Sequence, residues 1–142
     1  MAAPRLEWYG KQVEQAVRGH VASGMAQAVQ LVVSDVKRRI NRGQPYRFTA
    51  KGRKVGLDPS LPGEPPKVVT SDLKNSIVGR IESEPDEIRG FVGSNKVYAR
   101  RQELGFVGVD SLGRMVNQEP RPYLRPAVLE NRKKILETIA RG

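Results

Sequence analysis

Cysteine is absent from the 142 residues, and histidine occurs once, at His20. Without thiols the chain forms no disulfide and offers no thiolate metal site. One imidazole leaves little for zinc chemistry. No apolar run approaches the roughly 18 residues of a transmembrane helix candidate. The opening Met1-Ala2-Ala3-Pro4-Arg5-Leu6-Glu7 has no apolar signal-peptide core. Residence in a cytoplasm, with no membrane partner, is therefore the default expectation. Aromatic residues make up only 6% and hydrophobic residues 38%, which predicts a modest core in one soluble, part-flexible domain over 1–142.

What the chain does have is positive charge, unevenly spread. Its net charge is +10. Residues 1–43 carry seven basic and three acidic side chains, and residues 120–142 carry six and two. Residues 70–119 are close to balanced, with seven and eight. Basic flanks around a neutral middle point to a polyanion or an acidic protein surface as neighbour.

Hydrophobic spacing divides the chain into four parts. Val13, Val17, Val21, Met25, Val29, Val32, Val36 and Ile40 recur every three or four residues. That predicts one long amphipathic helix within 1–43. Gly19 and Gly24 lie inside it, placed for close packing or a bend, and Gly43 and Pro45 end it. Residues 44–69 are punctuated by Pro and Gly at almost every turn and read as a long basic loop, with a short hairpin from Tyr46, Phe48 and Val55. Residues 70–77 predict a short helix capped by Thr70 or Ser71. Strands at 77–82 and 87–92 flank the turn tetrapeptide Ser83-Glu84-Pro85-Asp86. Val97 to Leu104 is helical and stops at Gly105. Phe106 to Met115 suits a second hairpin or a flexible loop. A single helix over 120–142 follows, with Leu124, Val128, Leu129, Ile135, Leu136 and Ile139 as its buried face and Pro126 in its first turn. The plan is α+β: an N-terminal and a C-terminal helix packed on a small antiparallel sheet.

No catalytic, cofactor or metal constellation emerges. His20 reads as an ordinary packed or surface histidine. Glu82, Glu84, Asp86 and Glu87 fit a solvated turn better than a two-carboxylate or metal site. A nuclease reading on Glu82, Asp86 and Glu103 lacks convergent geometry. The strongest physical signal runs from Lys37 to Lys54, where eight basic residues meet no acidic one. Tyr46 and Phe48 are interleaved. Arg39, Arg42, Arg47, Lys51, Arg53 and Lys54 are the candidates to face a partner or DNA. Docking on an acidic protein outweighs phosphate tracking, because charge alone is non-specific. A nucleic-acid-binding accessory protein using 37–54 is the rival reading.

Three stretches occur in the order of one family's motifs. The first is Gly63-Glu64-Pro65-Pro66 followed by Thr70-Ser71-Asp72-Leu73-Lys74-Asn75-Ser76-Ile77. The second is Val92-Gly93-Ser94 followed by Tyr98-Ala99-Arg100-Arg101-Gln102-Glu103-Leu104-Gly105. The third is Arg121-Pro122-Tyr123-Leu124-Arg125-Pro126-Ala127. Over 63–142 the chain resembles the small neck or tail-completion proteins of long-tailed phages. That is the group of phage lambda's minor tail protein Z, also called the HK-ninety-seven gp-ten-like tail-component family. The chain departs from it at Ser71 (glycine in the family), Arg101 (an aromatic), Leu104 (phenylalanine) and Phe106 after the glycine. The resemblance leaves the 44–62 loop unaccounted for.

The resemblance implies a non-enzymatic virion protein, assembled in the host bacterial cytoplasm. It implies a homo-oligomeric, hexameric ring around the DNA channel, joining the tail tube or tail terminator to the head-closure connector. Thr70, Leu73, Ser76, Ile77, Tyr98, Glu103, Gly105, Arg121, Pro122, Tyr123, Leu124 and Pro126 then build the fold or a subunit interface. Tyr98 and Glu103 are expected to fix their short helix against the sheet. The Arg47–Lys54 stretch is expected to face genomic DNA in the channel or an acidic neighbouring ring.

Overall fold

The computed structural model describes residues 7–41, 47–48, 51, 54–55, 62–66 and 71–142. The fold is α+β, organised on one long helix, α1 (Gly10–Asn41). Two-residue strands β1 (Arg47–Phe48) and β2 (Lys54–Val55) pair antiparallel, at the place of the short hairpin expected there. Helix α2 (Asp72–Ser76) leads into the hairpin of β3 (Ile77–Ser83) and β4 (Ile88–Ser94). Helix α3 (Val97–Leu104) precedes a second hairpin, β5 (Phe106–Val109) with β6 (Met115–Gln118). Helices α4 (Leu124–Glu130) and α5 (Arg132–Arg141) complete the order. Gly43, Pro45, Tyr46 and Thr70 lie outside the described residues, as does most of the 44–69 loop.

Helix α1 packs against β3, β4, α4 and α5. Its valine stripe is buried only over its second half. Val29, Val32, Val36 and Ile40 are covered, while Val13 and Val17 are exposed. The reason is the length of the hairpin. Its turn ends level with Arg18, whose guanidinium donates to the Glu84 carbonyl oxygen at 2.7 Å. Beyond that point the sheet offers α1 nothing to pack on. The core gathers Val29, Val32, Val33, Val36, Ile40, Ile77, Tyr123 and Ala127. Each large apolar side chain fully buried there contributes about 1.5–3 kcal/mol.

Glycines set how closely the layers approach. Gly79 and Gly90 sit where a Cβ would strike Val29. The two α1 glycines differ. A Cβ at Gly24 would lie 2.5 Å from the Ile139 carbonyl oxygen and 2.6 Å from its Cα, so α1 and α5 touch backbone to backbone there. A Cβ at Gly19 meets nothing within 4 Å. Gly24→Ala should therefore destabilise by about 1–3 kcal/mol through overpacking. Gly19→Ala should stabilise by about 0.5–1 kcal/mol through helix propensity alone. Urea titrations of the two variants should move in opposite directions.

Two expectations need correction. The last segment is two helices, not one. Asn131 (φ −95, ψ 5) divides them, and its amide donates to the Ala127 carbonyl at 2.8 Å and to Asp35 Oδ2 at 2.9 Å. A side chain that bonds nearby backbone competes with the helical ladder. The break also rotates the buried face. Leu124, Ile135 and Ile139 are partly buried, but Val128, Leu129 and Leu136 are exposed, and Ala127 is fully buried. Second, Ile77 does not share a helix with Leu73; it begins β3, although both join the core. Ser71 adopts the left-handed conformation (φ 62, ψ 0) and precedes α2 without a side-chain capping bond.

Candidate functional site

The second and third motif stretches meet. Gly105 ends α3 at φ 77, and a Cβ there would lie 2.7 Å from the Gln118 carbonyl oxygen. The chain leaves α3, makes the β5–β6 excursion and returns directly beside its start. Arg121 N–H donates to the Gln102 carbonyl at 2.6 Å. Glu103 then caps α4 from outside. Its Oε2 accepts from the backbone N–H of Tyr123 at 2.7 Å and of Leu124 at 2.9 Å, and its Oε1 accepts from Arg125 N–H at 2.8 Å. A carboxylate suits these donors, which the first turn of a helix leaves unpaired. Glu103 thus fixes α3 to α4 rather than to the sheet.

Tyr123 is fully buried, and its hydroxyl donates to the Ala99 carbonyl at 3.1 Å. Burial, reinforced by the Glu103 charge and Tyr98, pushes its phenol up to about 12, so it stays a neutral donor. Pro122 precedes this clamp and is partly buried; Pro126 sits in the first turn of α4. Ser76 Oγ bonds Ser94 Oγ at 2.6 Å and donates to the Leu73 carbonyl at 2.7 Å, tying α2 to the end of β4. Tyr98 remains 41% exposed.

The basic segment is not one surface. Arg39 is buried and bridges Asp35 and Glu130, with Nε 2.7 Å from Asp35 Oδ2. It is an internal tie between α1 and α4, not a partner-facing cation. Desolvation raises the Asp35 carboxyl, but hydrogen bonds and charge from Arg38 and Arg39 outweigh it and hold the group below the usual carboxylate range. Lys51 is exposed. Arg47 and Lys54 lie opposite each other's neighbours in the β1–β2 register. Arg42 and Arg53 lie outside the described residues.

The carboxylates of the first hairpin stand at its tip. Glu82 pairs with Arg80 and Glu87 with Arg89. Among the described residues no group of three metal-ligating side chains converges. Glu103 is already engaged in capping α4. His20 is exposed, with Nε2 2.9 Å from the Ala140 carbonyl oxygen.

Two surfaces stand out instead. The β5–β6 hairpin is an arm on which no other element packs substantially among the described residues. Val107 faces Asn117 and Val109 faces Met115 across the pair. These four share one exposed face, and Leu112 lies at the turn, 74% exposed. That turn is tightly built. Asp110 Oδ1 accepts from Leu112 N–H and Arg114 N–H at 2.9 Å each, and Oδ2 meets Arg114 Nε at 2.8 Å. The second surface is a pair of clefts along α1 and β4, together called the trough. One end, about 380 Å³, is lined by Val17, Val21 and Ile88 with Glu14, Asp86 and Glu87. Further along α1, about 370 Å³ is lined by Met25, Val32, Gly90 and Val92, closed by Leu124 and Val128. No known protein family, curated protein or solved structure matches the chain.

Proposed function

We propose that the chain is a non-catalytic structural subunit of a tailed-phage neck, forming a ring that completes the tail tube and joins it to the head. The observation that carries this reading is the meeting of two motif stretches at Glu103. Residues 98–105 and 121–126, the stretches that resemble the tail-completion family, hold each other through five backbone-directed hydrogen bonds. Their spacing in sequence thus has one structural purpose, which is what a shared architecture requires. The exposed apolar arm supports an assembling role, since contiguous apolar patches mark interaction sites.

The test is light scattering of the purified chain, alone and with tail tubes from a phage mutant lacking it. Docking on tube ends and restored joining to heads is the expected result. A chain that ignores tubes but binds DNA with a steep salt dependence would replace this reading with a nucleic-acid-binding one.

A further inference from the structure

We infer that the β5–β6 arm of one copy seats in the α1–β4 trough of a second copy of this chain, its tip at the Leu124 end and its base at the Glu14–Asp86 end. This rests on the ring reading and names the surfaces that join neighbours.

Shape comes first. From Val17 to Val32, α1 rises roughly 22 Å at 1.5 Å per residue. The strand Phe106–Val109 and the turn beyond it to Leu112 span roughly 15–18 Å at about 3.3 Å per extended residue, so the arm covers most of that length. The arm is ready to dock, because Asp110 fixes the turn that presents Leu112. A preorganised element loses less freedom on binding.

Charge gives the direction. The helix that leads into the arm carries Arg100, exposed and without an ion pair among the described residues, and Arg101, whose guanidinium lies 4.1 Å over the Phe106 ring. Glu119 is the acid beside them. The near end of the trough carries Glu14 and Asp86, also exposed and without an ion pair among the described residues. Its cation, Arg18, is engaged with Ser83 and Glu84. Basic base on acidic end therefore sets Leu112, flanked by the Asp110–Arg114 pair, beside Leu124 and Val128. An arm on one part of the surface and a socket on another make a heterologous contact, which closes into a ring when the rotation allows.

The lack of native cysteine makes the test clean. Leu112→Cys and Val128→Cys, both at exposed positions, are made in separate proteins, mixed and oxidised. A disulfide needs Cα atoms within about 7 Å, so a mixed dimer reports the docked tip. Leu112→Cys with Val17→Cys tests the opposite orientation. The expected result is a strong Leu112→Cys/Val128→Cys dimer, little with Val17→Cys, and a ladder when both substitutions share one chain. Leu112→Asp should reduce the mass in solution with unchanged circular dichroism. Assembly without the Val128→Cys link, or linking equally with Val17→Cys, overturns the arm-in-trough contact and leaves the ring reading standing. A chain that stays monomeric and unlinked, in solution and on tail tubes, overturns both.

Discussion

Glu103→Ala is expected to lower the unfolding free energy by about 2–4 kcal/mol, more than an ordinary helix cap contributes. One carboxylate serves three backbone N–H groups at 2.7–2.9 Å. Hydrogen bonds to a charged acceptor are worth roughly twice neutral ones. Removing it leaves the start of α4 unpaired beside the buried Tyr123. Glu103→Gln should cost less, because one oxygen still accepts while the amide opposes a backbone N–H. Tyr123→Phe, which deletes only the bond to Ala99, should cost about 1 kcal/mol. Urea unfolding of the three variants should rank them in that order among Ala, Gln and Phe. An alanine variant within about 0.5 kcal/mol of the parent, the range of neutral surface changes, would show that the clamp is unnecessary.

Arg39→Met should destabilise by about 3 kcal/mol, because it leaves Asp35 buried with only the exposed Arg38 and the Asn131 amide for company. Asp35→Leu combined with Arg39→Met should recover much of that loss, since a buried pair replaced by apolar side chains is often neutral. The pH dependence follows from the lowered Asp35 pKa. A carboxyl held below its unfolded value contributes stability above the ordinary range near pH 4. That contribution is lost as pH falls through the folded value. In Arg39→Met the acid-side slope of stability should therefore flatten. A slope identical to the parent's would mean that Arg39 does not govern Asp35. The same variant separates roles: a pure partner-facing arginine would leave the melting curve unmoved.

Local pattern carried much of the fold. The α1 stripe, the turn between β3 and β4 (at 84–87, one residue later than the expected 83–86) and the stop at Gly105 are all set by neighbours within a few residues, which is where periodicity and turn chemistry act. What local pattern could not carry lay across long separations. Arg39 reads as a helix-end cation until Glu130, 91 residues away, is brought beside it. The i,i+4 spacing from Asp35 was the available hint. Gly19 and Gly24 are indistinguishable in sequence because only the approach of Ile139 separates them. Asn131 carries no Gly or Pro signal, and its break depends on Asp35 as a partner from α1. At the site, Glu103 was legible as important, but its ligands are backbone groups, which no residue pattern announces.

The packing of α1 on α5 also has a consequence in time. Gly24 meets Ile139, and Ser23 bonds the Gly142 carbonyl 119 residues later. Helix α1 is therefore synthesised long before its covering partner exists. At roughly 5–20 residues per second, the residues around Gly24 wait about 5–20 s for α5. During that interval they are open to other nascent chains, including copies of this one. The rate at which correctly folded chains accumulate should thus fall with crowding on the message.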